Sequence, residues 1–164
     1  MIGKKTILGV IALLALTALV FAGAISASSK DGGNEHGRNQ LVGSWELNVD
    51  RSPLPPIKSM LTCTSDGTVV ETGSLATRGP SHGAWEQLTK HQYAVTHVFF
   101  RFDATGTFLG TQRINETVDM AEDGESYSSV AISYLYDTAG NLVVGGLRAT
   151  ITATRIHVEP NPGP

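Results

Sequence analysis

From residue 41 to residue 158 the apolar positions recur at every second residue rather than every third or fourth. That period belongs to a strand that buries one face and exposes the other. Runs rich in Val, Ile, Thr, Tyr, Phe and Trp cover 43–50, 59–64, 68–73, 83–88, 92–103, 107–120, 126–137 and 141–158. Short turns punctuate them at Asp66-Gly67, Thr105-Gly106, Asp123-Gly124 and Ala139-Gly140. Turns of this kind join neighbouring strands as hairpins. Segment 51–58 carries Pro53, Pro55 and Pro56 and reads as a connection, because proline donates no ladder hydrogen bond. Segment 76–81 reads as a loop. The pattern predicts an all-β fold of about eight antiparallel strands in up-and-down order. Such a meander closes into a barrel, since closure removes exposed edges. A two-sheet sandwich is the alternative. Gly110 and the pair Gly145-Gly146 interrupt strand runs and mark expected bulges.

The pattern ahead of the strands is different. Lys4 and Lys5 precede an apolar run over 7–25, and Ala22, Gly23, Ala24, Ser26 and Ala27 cluster at its end. This is the layout of a secretory signal peptide with cleavage around 24–28. A run of about 19 apolar residues also suits an uncleaved membrane anchor. Residues 1–27 therefore read as a hydrophobic export helix, either signal or anchor. The expected location is secreted or periplasmic, or held at the membrane by that helix, with no other membrane contact. Residues 28–40 are polar and Gly-rich and read as a flexible linker. The barrel domain is assigned to 41–158 and an irregular tail to 159–164.

Composition narrows the function classes. The 164-residue chain has 12 basic and 15 acidic side chains. Without Lys4 and Lys5 the balance is −5, and no basic patch appears, so nucleic acid is not an expected partner. Cys63 is the only cysteine. It excludes an internal disulfide and reads as a small buried apolar residue. The chain has no HExxH, no paired histidines at metal-ligand spacing, no GxSxG, no P-loop and no dinucleotide fingerprint. No metal or cofactor is expected.

Candidate chemistry comes from the inward strand faces. In 107–120 the more apolar face holds Phe108, Gly110, Gln112, Ile114, Glu116, Val118 and Met120. It carries Gln112 and Glu116 into an apolar interior. A buried carboxylate is costly unless paired, and Arg148 or His97 is the expected partner. In 92–103, Tyr93, Val95, His97, Phe99 and Arg101 alternate with Ala94, Thr96, Val98, Phe100 and Phe102, and both faces are apolar enough to be inside. If the first is inward, His97 joins Glu116. The expected ligand contacts are Trp85, Phe99, Phe108, Gln112, Glu116 and Arg148. Glu116 and His97 are the acid–base candidates.

The motif Gly43-Ser44-Trp45, opening the first strand of an exported eight-stranded barrel, resembles the lipocalins and the wider calycin group. The resemblance implies that Trp45 packs across the closed end of the barrel against an arginine near the end of the last strand. Arg155 is the counterpart, with Arg148 second. The series GSWEL, HGAWE and GTQRI is also similar to uncharacterised lipocalin-like domains of exported bacterial proteins. The TDY-like turn, C-terminal helix and disulfides of lipocalins have no counterpart. Small barrels of the allene-oxide-cyclase type share the strand count. The resemblance implies a barrel that binds a small, mostly apolar molecule. The alternatives are a cyclase- or isomerase-type enzyme using Glu116 or His97, and a filled barrel with a structural role in the cell envelope. Gly83-Ala84-Trp85-Glu86 repeats the opening motif 40 residues on, but no third copy supports a repeat architecture.

Overall fold

The computed structural model describes residues 40–163. The export helix over 1–27 and the linker up to residue 39 lie outside the described residues. The strands are β1 (Gly43–Arg51), β2 (Leu54–Cys63), β3 (Thr68–Gly73), β4 (Arg78–Gln87), β5 (Gln92–Phe102), β6 (Phe108–Met120), β7 (Ser126–Tyr136) and β8 (Leu142–Arg155). Each pairs with the next in antiparallel register. Pairing of β1 with β8 then closes the sheet into an eight-stranded barrel. That closure removes the sandwich alternative and leaves no free edge.

Two segments read as connections are strand. β2 starts at Leu54, five residues earlier than its apolar run suggests. The β1–β2 register slips between Val49 and Arg51, so Pro55 and Pro56 have no ladder partner. A bulge of this kind is where a strand tolerates proline. β4 likewise starts at Arg78, and its register against β5 slips between Arg78 and Ser81. The predicted breaks at Gly110 and Gly145-Gly146 are present. Gly110 has φ +114°, and a Cβ there would lie 2.1 Å from the Tyr136 carbonyl oxygen. The β7–β8 register slips opposite Gly145-Gly146.

The barrel has two unlike ends. The end carrying the β2–β3, β4–β5 and β6–β7 turns is filled by Leu41, Trp45, Leu61, Cys63, Val69, Tyr93, Val118 and Tyr127, all buried. Trp45 is its centre. Its indole nitrogen donates to the Leu41 carbonyl at 2.9 Å, and its ring meets Tyr127 edge-on at 5.0 Å. Arg155 lies directly opposite Trp45 in the β1–β8 ladder, with its guanidinium 4.2 Å over the indole. Nε and Nη1 donate to the carbonyls of Gly124 and Val42 at 2.9 and 2.8 Å. Nη2 donates to the carbonyls of Gln40 and Gly124. The expected packing of Arg155 against Trp45 is present, and the same side chain ties the segment before β1 to the β6–β7 turn.

The glycines of the two Gly-x-Trp motifs answer different demands. Gly43 has φ +138°, and a Cβ there would lie 2.5 Å from Arg155 Nη1. A Cβ at Gly83 would lie 1.9 Å from the Thr96 carbonyl oxygen, because β4 and β5 approach closely.

Replacing Arg155 by Lys tests the clamp. A lysine keeps the charge but not the planar set of donors. We expect Arg155→Lys to lose about 2 kcal/mol or more of stability, since hydrogen bonds from a charged group contribute about 1.5–3 kcal/mol each. Urea unfolding followed by tryptophan fluorescence reads it. A midpoint unchanged from the parent removes the role.

Candidate functional site

The opposite end of the barrel is not filled. A cavity of about 180 Å³ opens there, walled by Leu47, Val49, Ile57, Phe99, Ile114 and Ile151 among others. Its polar lining is Arg51, Glu71, Arg78, His97, Arg101, Gln112, Glu116 and Ser133, with Thr77 from the β3–β4 connection. Strand alternation puts these groups inside. On β5 the inward face is Tyr93, Val95, His97 and Phe99, which resolves the ambiguity of that strand. On β6 it is Gln112, Ile114, Glu116, Val118 and Met120.

The charged groups form one chain of contacts across β3 to β7. Arg78 pairs with Glu71, and both side chains are buried. Ser81 Oγ lies 3.1 Å from Glu71 Oε2 and 2.8 Å from His97 Nδ1. His97 Nε2 lies 3.0 Å from Glu116 Oε1, and Ser129 Oγ donates to Glu116 Oε2 at 3.1 Å. Arg78 also stacks its guanidinium 3.9 Å from the Phe99 ring centre. Register explains the reach: Glu71 faces Ser81 directly, while His97 and Glu116 are diagonal neighbours on β5 and β6.

Two proton arrangements satisfy the chain while Glu116 is ionised. With His97 neutral, Nε2–H donates to Glu116 and Nδ1 accepts from the Ser81 hydroxyl. With His97 charged, both nitrogens donate, and the Ser81 hydroxyl turns its hydrogen to Glu71. Protonation of His97 is thereby coupled to the orientation of one hydroxyl. The Ser–His–Glu series is not a nucleophilic triad, because Ser81 is fully buried and does not line the cavity. His97 and Glu116 do line it, so they are the groups able to exchange a proton with a bound molecule.

The residues named from sequence divide accordingly. Phe99, Gln112, Glu116 and His97 come together on the cavity wall. Three others do not. Phe108 lies outside and is 42% exposed, packed edge-on to Phe100 at 5.7 Å. The β5–β6 register slips between Arg101 and Phe102, and that extra residue turns Phe108 to the opposite face. Arg148 is exposed and stands opposite Ile132, because Ala149, Ile151 and Ala153 occupy the inward positions of β8. It is not the partner of Glu116; His97 and Ser129 are. Trp85 points inward but at the filled end, edge-on to Tyr93 at 5.8 Å, with its indole nitrogen donating to the Thr64 carbonyl at 2.9 Å. Arg51, Glu71, Arg78 and Ser81 were missed, although Glu71 alternates with the apolar Val69 and so was open to the same reading as Glu116. Among the described residues no group of three or more His, Cys, Asp and Glu could hold a metal ion.

No protein-family model matches the chain, and no curated protein matches it. A solved structure similar to it is that of EF1p2_mFAP2b bound to DFHBI, with a TM-score of 0.54 and 15% sequence identity. The match covers 71% of this chain and 94% of that one. At that identity the likeness bears on the fold.

The charge of Glu116 is felt beyond the cavity. Burial pushes the Cys63 thiol from its ordinary value of 9.0 up to about 12, and Glu116 pushes in the same direction. Burial, then Glu116, also hold Tyr127 well above the usual phenol range. An unfolded thiol loses its proton first, so the folded state binds more protons between about pH 9 and 12, and stability falls as pH rises through that window. The contribution is about 1.4 kcal/mol per pH unit. We expect the stability of the Cys63→Ala variant to decline less steeply between pH 9 and 11 than that of the parent, by urea unfolding at each pH. Parallel slopes would contradict the burial assigned to the thiol.

Proposed function

We propose that this chain is a small-molecule-binding barrel that holds a compact, mostly apolar ligand in its open end. One observation carries the reading: the barrel is packed at one end and hollow at the other, with an apolar wall and a few converging polar groups at the hollow end. The likeness to a barrel whose structure holds DFHBI supports it. The hollow end counts against the filled, structural barrel. The export reading of residues 1–27 goes with this proposal, and places binding outside the cytoplasm or at the membrane surface. The lipocalin kinship of exported bacterial proteins is part of the same proposal.

The volume selects the kind of ligand. An apolar cavity of about 150 Å³ holds benzene, so about 180 Å³ holds one ring with a small substituent. A long acyl chain does not fit. Calorimetric titration of the full-length chain with indole and with palmitate is the test. Indole is expected to bind and palmitate not. Ala149→Phe, which puts a ring into the cavity, is expected to remove indole binding while the circular dichroism of the barrel is kept. Failure of indole and of toluene alike to bind would sink the proposal.

A second reading has its own observation: the His97–Glu116 pair faces the same cavity. In that reading one of the two moves a proton on the bound molecule, as in a cyclase or isomerase. Glu116→Gln then stops hydrogen–deuterium exchange into a bound carbonyl compound, followed by NMR, without unfolding the barrel. Exchange at the parent rate would remove the role.

A further inference from the structure

Six ionised or ionisable groups of the cavity wall lie in the chain or beside it, but the positive charge at the mouth is not fully used. Arg51, Arg78 and Arg101 all line the cavity, against the carboxylates of Glu71 and Glu116. With His97 neutral the lining carries a surplus of one positive charge. Arg78 is committed to Glu71, yet its Nε is buried without a partner. Arg51 spends one nitrogen on the Pro55 carbonyl at 2.7 Å, and its Nε is also buried and unpartnered. The Arg101 side chain makes no hydrogen bond or ion pair among the described residues.

These three cations are held close. Arg78 and Arg101 face each other directly in the β4–β5 ladder, where like charges destabilise a sheet. Burial lowers the pKa of Arg78, Glu71 opposes that, and the nearby Arg51 charge lowers it further. Crowding of unmatched guanidinium groups around one concave opening is what an anion site requires.

We propose that the ligand of this cavity is a flat monoanion, an aromatic carboxylate, with its carboxylate on Arg51 and Arg101 beside Arg78 and its ring against Phe99 and Ile114. The inference rests on the binding reading above and adds the charge of the ligand to it. A guanidinium presents paired N–H donors in the geometry of a carboxylate. A single negative charge matches the surplus, whereas a phosphate dianion exceeds it. The volume admits one ring and a carboxylate and little more.

Benzoate and benzamide have nearly the same shape and differ in charge, so they separate this inference from binding itself. Calorimetry on the full-length chain is expected to show benzoate at least tenfold tighter than benzamide, since charge-assisted hydrogen bonds exceed neutral ones by about that factor. The preference is expected to shrink with added salt. Arg101→Gln and Arg51→Gln, each leaving the Arg78–Glu71 pair in place, are expected to bring benzoate down to the affinity of benzamide. Benzamide binding as tightly as benzoate, or a preference that survives both substitutions, overturns the charge assignment and leaves the cavity a binding site. If indole, benzamide and benzoate all fail to bind, the binding reading falls and this inference with it.

Discussion

Two carboxylates inside an apolar barrel set the terms for everything around them. Glu71 and Glu116 are both buried, where an unpaired charge costs several kcal/mol. Arg78, Ser81, His97 and Ser129 meet that cost between them, in one run of contacts that crosses five consecutive strands. Removing any one member leaves a neighbour without its partner in a low-dielectric setting, which is where hydrogen-bond networks behave as a unit. The run also occupies the middle height of the interior. Apolar side chains cannot pack against it from the open end without burying more of its polar atoms, so that end stays hollow.

The filled end is what permits the hollow one. Trp45, Tyr93, Tyr127 and Met120, with Leu41, Leu61, Val69 and Val118, are buried below the polar run. Arg155 holds the segment that precedes β1 to the β6–β7 turn, so that the plug is covered. Stability and function are thereby separated along the barrel axis. The closed end carries the packing, where side chains fill the interior as in small barrels generally. At the open end only the charged groups outside the polar run, Arg51 and Arg101, stand on a frame that does not depend on them.

How much of this was legible depended on where strand regularity held. The two-residue period of 107–120 put Gln112 and Glu116 on the inward face, and that of 92–103 put His97 and Phe99 on one shared face without deciding which face is inward, because nothing interrupts those strands at these positions. Gly43-Ser44-Trp45 and Arg155 were legible for a different reason: a family resemblance supplied a pairing that no local period contains. Phe108 was misplaced because one extra residue at a bulge reverses every side chain beyond it, and nothing at Leu109 announces the insertion. Arg148 was misplaced because β8 is exposed on both faces up to Arg148, so its parity is set only by Ala149, Ile151 and Ala153 further on. Arg51, Arg78 and Ser81 were hidden by prolines and glycines that read as loop. Bulges in the β1–β2 and β4–β5 ladders allow those same residues to be strand. Arg51 and Arg78 among the missed groups therefore sit at the rim, where bulges re-aim side chains.

A small cavity with fixed polar groups discriminates in a way that a large apolar one does not. One extra methylene in an apolar pocket changes affinity by about 1–3 kcal/mol at most. A ligand that leaves a buried charge without its partner loses more, because the desolvation of that charge is not returned. In the binding role proposed for this barrel, the apolar wall is a coarse filter for size, set by Leu47, Ile114, Ile151 and their neighbours. The polar run cannot adapt, since each of its members is already held by another across the strands. The groups with capacity left are the guanidinium nitrogens at the mouth, Arg78 Nε among them, and the Gln112 amide on the wall. In the proposed binding role, selection among molecules that fit by size therefore falls to those few atoms and the charge they carry.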